Sequence, residues 1–90
     1  MSFQVNIKKK ALKFVSKLDK KDKERLRKAL LLLKEDPIPI KLLDVAKIKG
    51  EKNTYRIRVG KIRVLYEVLW NDKVILIKRV DFRKAAYKKS

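Results

Sequence analysis

Five of the seven arginines (Arg56, Arg58, Arg63, Arg79 and Arg83) fall between residues 56 and 83, whereas lysine dominates the N-terminal half. A guanidinium is a planar fork of donors that matches a phosphate, while a lysine supplies a hydrated point charge. Phosphodiester chemistry needs several such donors held where negative charge develops. The chain has no histidine and no cysteine. That removes the usual acid/base side chain, disulfides, thiolate metal sites and the commonest metal ligand. Metal-dependent nuclease chemistry needs clustered carboxylates. Glu51, Glu67, Asp72 and Asp81 are scattered, so no metal and no cofactor is expected. What remains is cleavage of RNA by its own 2′-hydroxyl, with Lys, Arg and Tyr handling charge and protons. Arginine is a poor general base, its pKa lying above about 12. A crowded lysine can be lowered toward neutrality by neighbouring cations. Lys47, Lys49 and Lys61 are near enough to be considered, and nothing in their spacing selects one.

The elements that must position these side chains follow from periodicity. Tyr55, Ile57 and Val59 alternate with Arg56 and Arg58, and Ile62, Val64, Tyr66 and Val68 alternate with Arg63, Leu65, Glu67 and Leu69. Gly60-Lys61 between these runs suggests a two-residue hairpin turn. That turn pairs Val59 with Ile62, Arg58 with Arg63, Ile57 with Val64 and Arg56 with Leu65. Cross-strand partners share a face, so Arg56, Arg58 and Arg63 converge on the side opposite the apolar stripe. Facing like charges destabilise a free sheet, and Glu67 on the same face offsets one of them. An anion site and an ordinary charged, solvated face both fit this pattern.

Phe3 to Ile7 alternates as a short half-buried strand. Leu12, Val15 and Leu18 then form a helical stripe with Ala11 and Phe14 beside it. Asp19 precedes a second helical run in which Leu26, Ala29, Leu30 and Leu33 recur and Pro37 closes the pattern. Residues 37–53 read as irregular. Val74 to Val80 reads as a further strand after the turn signal Asn71-Asp72, with the side of Arg79 open. The tail from Arg83 onward adds a short helical turn. The expected architecture is α+β, in the order β-α-α-β-β-β. A helical hairpin packs on one face of a small, twisted, mostly antiparallel sheet, and the other face stays open to solvent. Tyr55 and Tyr66 belong to the core face. Tyr87 lies in a lysine-rich tail where it could orient a ribose or stack on a base, and Phe82 could stack similarly.

Ninety residues are expected to make one domain spanning residues 1–90. Twenty-seven Lys and Arg against ten Asp and Glu give a formal net charge of +17. Such a chain is drawn to polyanions: nucleic acid, the ribosome or an acidic partner protein. A basic solvated surface of the lysine-rich kind found in thermophile proteins is the plainer alternative. No apolar run approaches the roughly 20 residues of a membrane span, so a cytoplasmic protein with no membrane partner is expected.

The run from Tyr55 to Tyr66 resembles the Tyr-Arg-x-Arg-x-Gly-x-x-Arg-x-x-Tyr signature of the RelE/ParE toxin superfamily. There it follows a Lys-x-x-Gly turn, here Lys47-Ile48-Lys49-Gly50. The ending Arg83-Lys84-Ala85-Ala86-Tyr87 is similar to the family's closing Arg-x-x-x-Tyr, and a helical hairpin ending in Asp36-Pro37 fits as well. The resemblance implies a type II toxin of the RelE branch, an endoribonuclease that cuts mRNA in the ribosomal A site and is neutralised by an acidic, RelB-like antitoxin. Carried over by motif, Arg56 and Arg58 match the paired basic residues of one strand and Arg63 the phosphate-stabilising arginine of the next. Arg83 and Tyr87 match the C-terminal pair that the family casts as leaving-group acid and substrate orienter. Lys47, Lys49, Lys61, Arg79, Lys84 and Lys88 are the expected RNA or ribosome contacts. Many members carry His where this chain has Phe82, and some carry a proposed lysine base where it has Arg56. The base is therefore open, or cleavage rests on positioning and charge. A gyrase-inhibiting toxin of the ParE type and an inactive basic RNA- or ribosome-binding module are the rival expectations.

Overall fold

A computed structural model describes residues 2–83. Its elements are β1 (Gln4–Ile7), α1 (Lys9–Ser16), α2 (Lys20–Glu35), β2 (Asp44–Lys47), β3 (Thr54–Val59), β4 (Ile62–Leu69) and β5 (Val74–Phe82). The strands form one sheet in the order β1-β5-β4-β3-β2. Neighbours run antiparallel except β1, which lies parallel to β5. The expected α+β arrangement is present: two helices cover one face of a mixed sheet.

Local chemistry sets the helix ends. The Asp19 carboxylate accepts the Asp22 backbone N–H at 2.8 Å, satisfying one of the free donors of the first turn of α2. Pro37 disfavours helical geometry at Asp36, and α2 stops at Glu35. Leu26, Ala29 and Leu33 form its buried stripe, facing Ile57, Val59, Ile62, Val64, Tyr66 and Val68 of the hairpin and Ile75, Ile77 and Val80 of β5. Each fully buried aliphatic side chain of this kind contributes about 1.5–3 kcal/mol. The short α1 presents a narrower face than its spacing suggests. Ala11 is buried, but Leu12, expected in the stripe, is 52% exposed, and Leu18 reaches the core from beyond the helix end.

Two features depart from the sequence reading. Residues 44–47, read as irregular, form edge strand β2, antiparallel to β3 with Asp44 opposite Arg58 and Ala46 opposite Arg56. Four residues with only Val45 and Ala46 half-buried are too few to show a period of two. The second departure is a bulge: Leu65 pairs with Arg79 and Tyr66 with Ile77, leaving Lys78 as an extra residue in β5. Side chains alternate along a strand, so one inserted residue reverses which face the remainder presents. Ile75 and Ile77 point to the core before the bulge and Val80 after it. The expected C-terminal helical tail lies outside the described residues. Among those residues, no helix is long and apolar enough to cross a membrane.

Candidate functional site

The hairpin register agrees with the turn chemistry: Val59 faces Ile62, Arg58 faces Arg63, Ile57 faces Val64 and Arg56 faces Leu65. Gly60 takes a positive φ of 59° in the turn, a conformation that costs a side-chain-bearing residue energy. Arg56, Arg58 and Arg63 therefore stand on the open face. Because the β5 bulge shifts the alternation, Arg79 and Asp81 join them, across from Leu65 and Arg63 respectively. The side of Arg79, open from sequence, is the open one.

The like charges are interleaved with two aspartates. Asp44 on β2 reaches Arg56 at 3.8 Å and Arg58 at 3.6 Å. Asp81 on β5 accepts from Arg63 Nε at 3.3 Å and Nη2 at 3.5 Å, and pairs with Arg79 Nε at 3.1 Å. Partly exposed pairs of this kind are worth at most about 1 kcal/mol each. That is enough to offset cross-strand repulsion of the same order, and too little to hold the arginines against an incoming phosphate. Glu67, expected as the offsetting charge, lies 3.9 Å from Lys78, which also reaches Glu51 at 3.8 Å.

Arg56, Arg63, Arg79 and Asp81, with Ile48 and Leu65 as apolar lining, surround a cavity of about 260 Å³. Three guanidiniums from three adjacent strands face one carboxylate there. The Arg56 side chain is 16% exposed. Among the described residues, its buried Nη1 makes no hydrogen bond and has only the long 3.8 Å ion pair with Asp44.

Arg83 follows β5 beside the hairpin turn. Its backbone N–H donates to the Lys61 carbonyl at 2.9 Å and its Nη1 to the Gly60 carbonyl at 3.3 Å. Lys61 is mostly exposed at the turn, 3.5 Å from the buried Asp22 carboxylate and 5.8 Å from the centroid of the Phe82 ring. Phe82 packs edge-on to Phe14, with centroids 5.0 Å apart.

Not every expected residue meets at this site. Lys47 pairs opposite Tyr55 and so shares the face of the helices, and Lys49 lies in the loop beyond β2, exposed. Tyr55 stacks on Tyr66 with centroids 5.9 Å apart. Tyr66 is buried as expected, its hydroxyl donating to the Pro37 carbonyl at 2.6 Å. Tyr87, Lys84 and Lys88 lie outside the described residues. Asp44 and Asp81 were missed as members of the site. Asp44 lay in a stretch read as irregular, and Asp81 fell one residue past the expected strand Val74 to Val80, which the structure extends to Phe82.

This frame, two helices on one face of a five-stranded mixed sheet, is that of a known class of small toxins. The family model described as the ParE toxin of type II toxin-antitoxin system, parDE, matches residues 5–87. The chain belongs to this RelE/ParE family of type II toxin–antitoxin toxins. It is similar to the RelE1 protein of Methanocaldococcus jannaschii, with 39% identity over 88 residues, 98% of each chain. Among solved structures it resembles a chain of the archaeal RelE–RelB complex from Pyrococcus horikoshii OT3, with a TM-score of 0.83 and 35% identity over 92% of this chain and 97% of that one. A chain of the RelB–RelE antitoxin–toxin complex from Methanococcus jannaschii matches with a TM-score of 0.74 and 29% identity, covering 92% and 95%.

Proposed function

We propose that this protein inhibits translation by cutting messenger RNA in the ribosomal A site, in the manner implied by its resemblance to RelE. The observation that carries the reading is the convergence of Arg56, Arg63 and Arg79 on one cavity, with Arg58 and Arg83 on the flanking positions. The 2′-hydroxyl of the RNA attacks the adjacent phosphorus, the new 2′-O–P bond forms and the P–O5′ bond breaks. Arg63 and Arg56 stabilise the charge that develops on the non-bridging oxygens. Arg83, held beside the turn, serves the leaving 5′-oxygen, and Tyr87 orients the substrate. Arg58, Arg79 and the lysines Lys47, Lys49, Lys61, Lys84 and Lys88 hold RNA or ribosome by charge.

A cytoplasmic, acidic antitoxin of the RelB kind is the natural partner of a +17 chain, and the RelE–RelB complexes of its structural relatives support that pairing. The test is primer extension on a defined mRNA, with and without programmed ribosomes. Wild type should cut at A-site codons only when ribosomes are present. Arg63→Ala and Arg83→Ala should each cut at least about 100-fold more slowly, the usual cost of one charge-stabilising donor. No cutting under any condition would move the reading to gyrase inhibition or to a binding module.

A further inference from the structure

A reaction begun by a 2′-hydroxyl needs an acceptor for its proton, and the arginines cannot serve. Guanidinium stays protonated, with a pKa above about 12. Of the six side chains that line the cavity, two are aliphatic, three are arginines and one is Asp81. We infer that Asp81 is the general base of the cleavage. This rests on the ribonuclease reading above and names the catalytic group that reading lacks.

Placement supports the role. Asp81 stands next to Arg63 in the β4–β5 register and is held from both sides, by Arg63 Nε and Nη2 and by Arg79 Nε. The carboxylate is 18% exposed, oriented yet open to the cavity. Its contacts of 3.1–3.5 Å are longer than the roughly 2.7–2.9 Å of a tight charge-assisted bond. A phosphodiester entering the cavity competes for the same guanidinium donors. As Arg63 and Arg79 turn to its oxygens, the Asp81 lone pairs are released beside the nucleotide those arginines have just bound. Substrate arrival thereby converts a paired anion into a base.

The proton ledger closes without a cofactor. The 2′-hydroxyl proton passes to an Asp81 carboxylate oxygen, the 2′-O–P bond forms and the P–O5′ bond breaks. The 5′-oxygen leaves as a hydroxyl on a solvent proton delivered beside Arg83, whose guanidinium stays charged, and Asp81 returns its proton to solvent. The products are a 2′,3′-cyclic phosphate and a 5′-hydroxyl. Among the described residues, the charged groups that line a cavity with Asp81 are cationic: Arg56 on β3, Arg63 on β4, Arg79 and Lys78 on β5, and Lys10 on α1.

The experiment is single-turnover cutting of ribosome-bound mRNA at saturating toxin, for wild type, Asp81→Asn and Asp81→Glu. Binding of a single-stranded RNA oligonucleotide is measured alongside. Asp81→Asn should cut at least about 100-fold more slowly, while binding RNA as tightly or more tightly because a competing anion is gone. Asp81→Glu, which keeps a carboxylate, should recover part of the rate. Asp81→Asn cutting within about tenfold of wild type, or Asp81→Glu cutting no faster than Asp81→Asn, overturns the role. So does a parallel loss of cutting and RNA binding, which marks a structural residue. A wild type that leaves mRNA whole sinks the ribonuclease reading itself, and the role of Asp81 with it.

Discussion

At the scale of single residues, the most constrained polar group of the core is the Tyr66 hydroxyl, which ties the centre of the sheet to the exit of α2 through Pro37. Burial pushes its phenol pKa well above the ordinary range, and Tyr55 and Asp36 push the same way. The folded state therefore holds Tyr66 neutral. The stability it lends is fully present below the unfolded value of about 10 and drains away as pH climbs toward the higher folded value. Tyr66→Phe leaves the Pro37 carbonyl without its partner and should cost about 1–2 kcal/mol at neutral pH. Urea unfolding at neutral and alkaline pH checks this: the gap between wild type and variant should narrow as pH rises. A gap that stays constant would show that the hydroxyl does not couple to titration.

Among the elements, β5 has the most unusual design, because its first half pairs with β1 and its second half builds the site. The extra residue Lys78 separates the two. Deleting Lys78 removes the extra residue and leaves Ile77, Arg79, Val80 and Asp81 in simple alternation, with Arg79 still opposite Leu65 and Asp81 opposite Arg63. The expected result is a folded variant that keeps RNA cutting within about tenfold, because the open face is unchanged. Lys78→Ala keeps the bulge and should keep the fold. A deletion variant that folds but no longer cuts would show that the bulge shapes the site beyond choosing the face.

The same strand shows why some of the site was legible and some was not. Arg56, Arg58 and Arg63 could be placed because two alternating runs flank Gly60-Lys61, and a two-residue turn dictates every pairing beyond it. The bulge is silent in sequence: Lys78 and Arg79 are both polar, so the side of Arg79 could not be read. Asp44 was hidden by a strand too short to show its period. Asp81 was visible as a residue, but its arginine partners meet it only once the shifted register is known.

On the scale of the whole molecule, the net charge of +17 acts in opposite directions on folding and binding. Self-repulsion weakens the compact state, and added salt screens it over a Debye length of about 8 Å at physiological strength. Raising salt should therefore raise the melting temperature of the free protein while loosening its hold on RNA. For single strands the log–log slope is about −0.7 per phosphate neutralised. Engagement of the four open-face arginines should give a slope near about −3 in a filter-binding titration, and each arginine-to-alanine change should lessen it by about one phosphate's share. A slope near zero would place RNA recognition elsewhere.

The hairpin adds a further property to the molecule. Its inward and outward positions answer to separate pressures, one set keeping the protein folded and the other meeting whatever lies outside. Substitutions on an open face usually change stability little. A lineage built on this hairpin can therefore trade its open-face residues one at a time and explore new targets, while the inward set carries the fold unchanged.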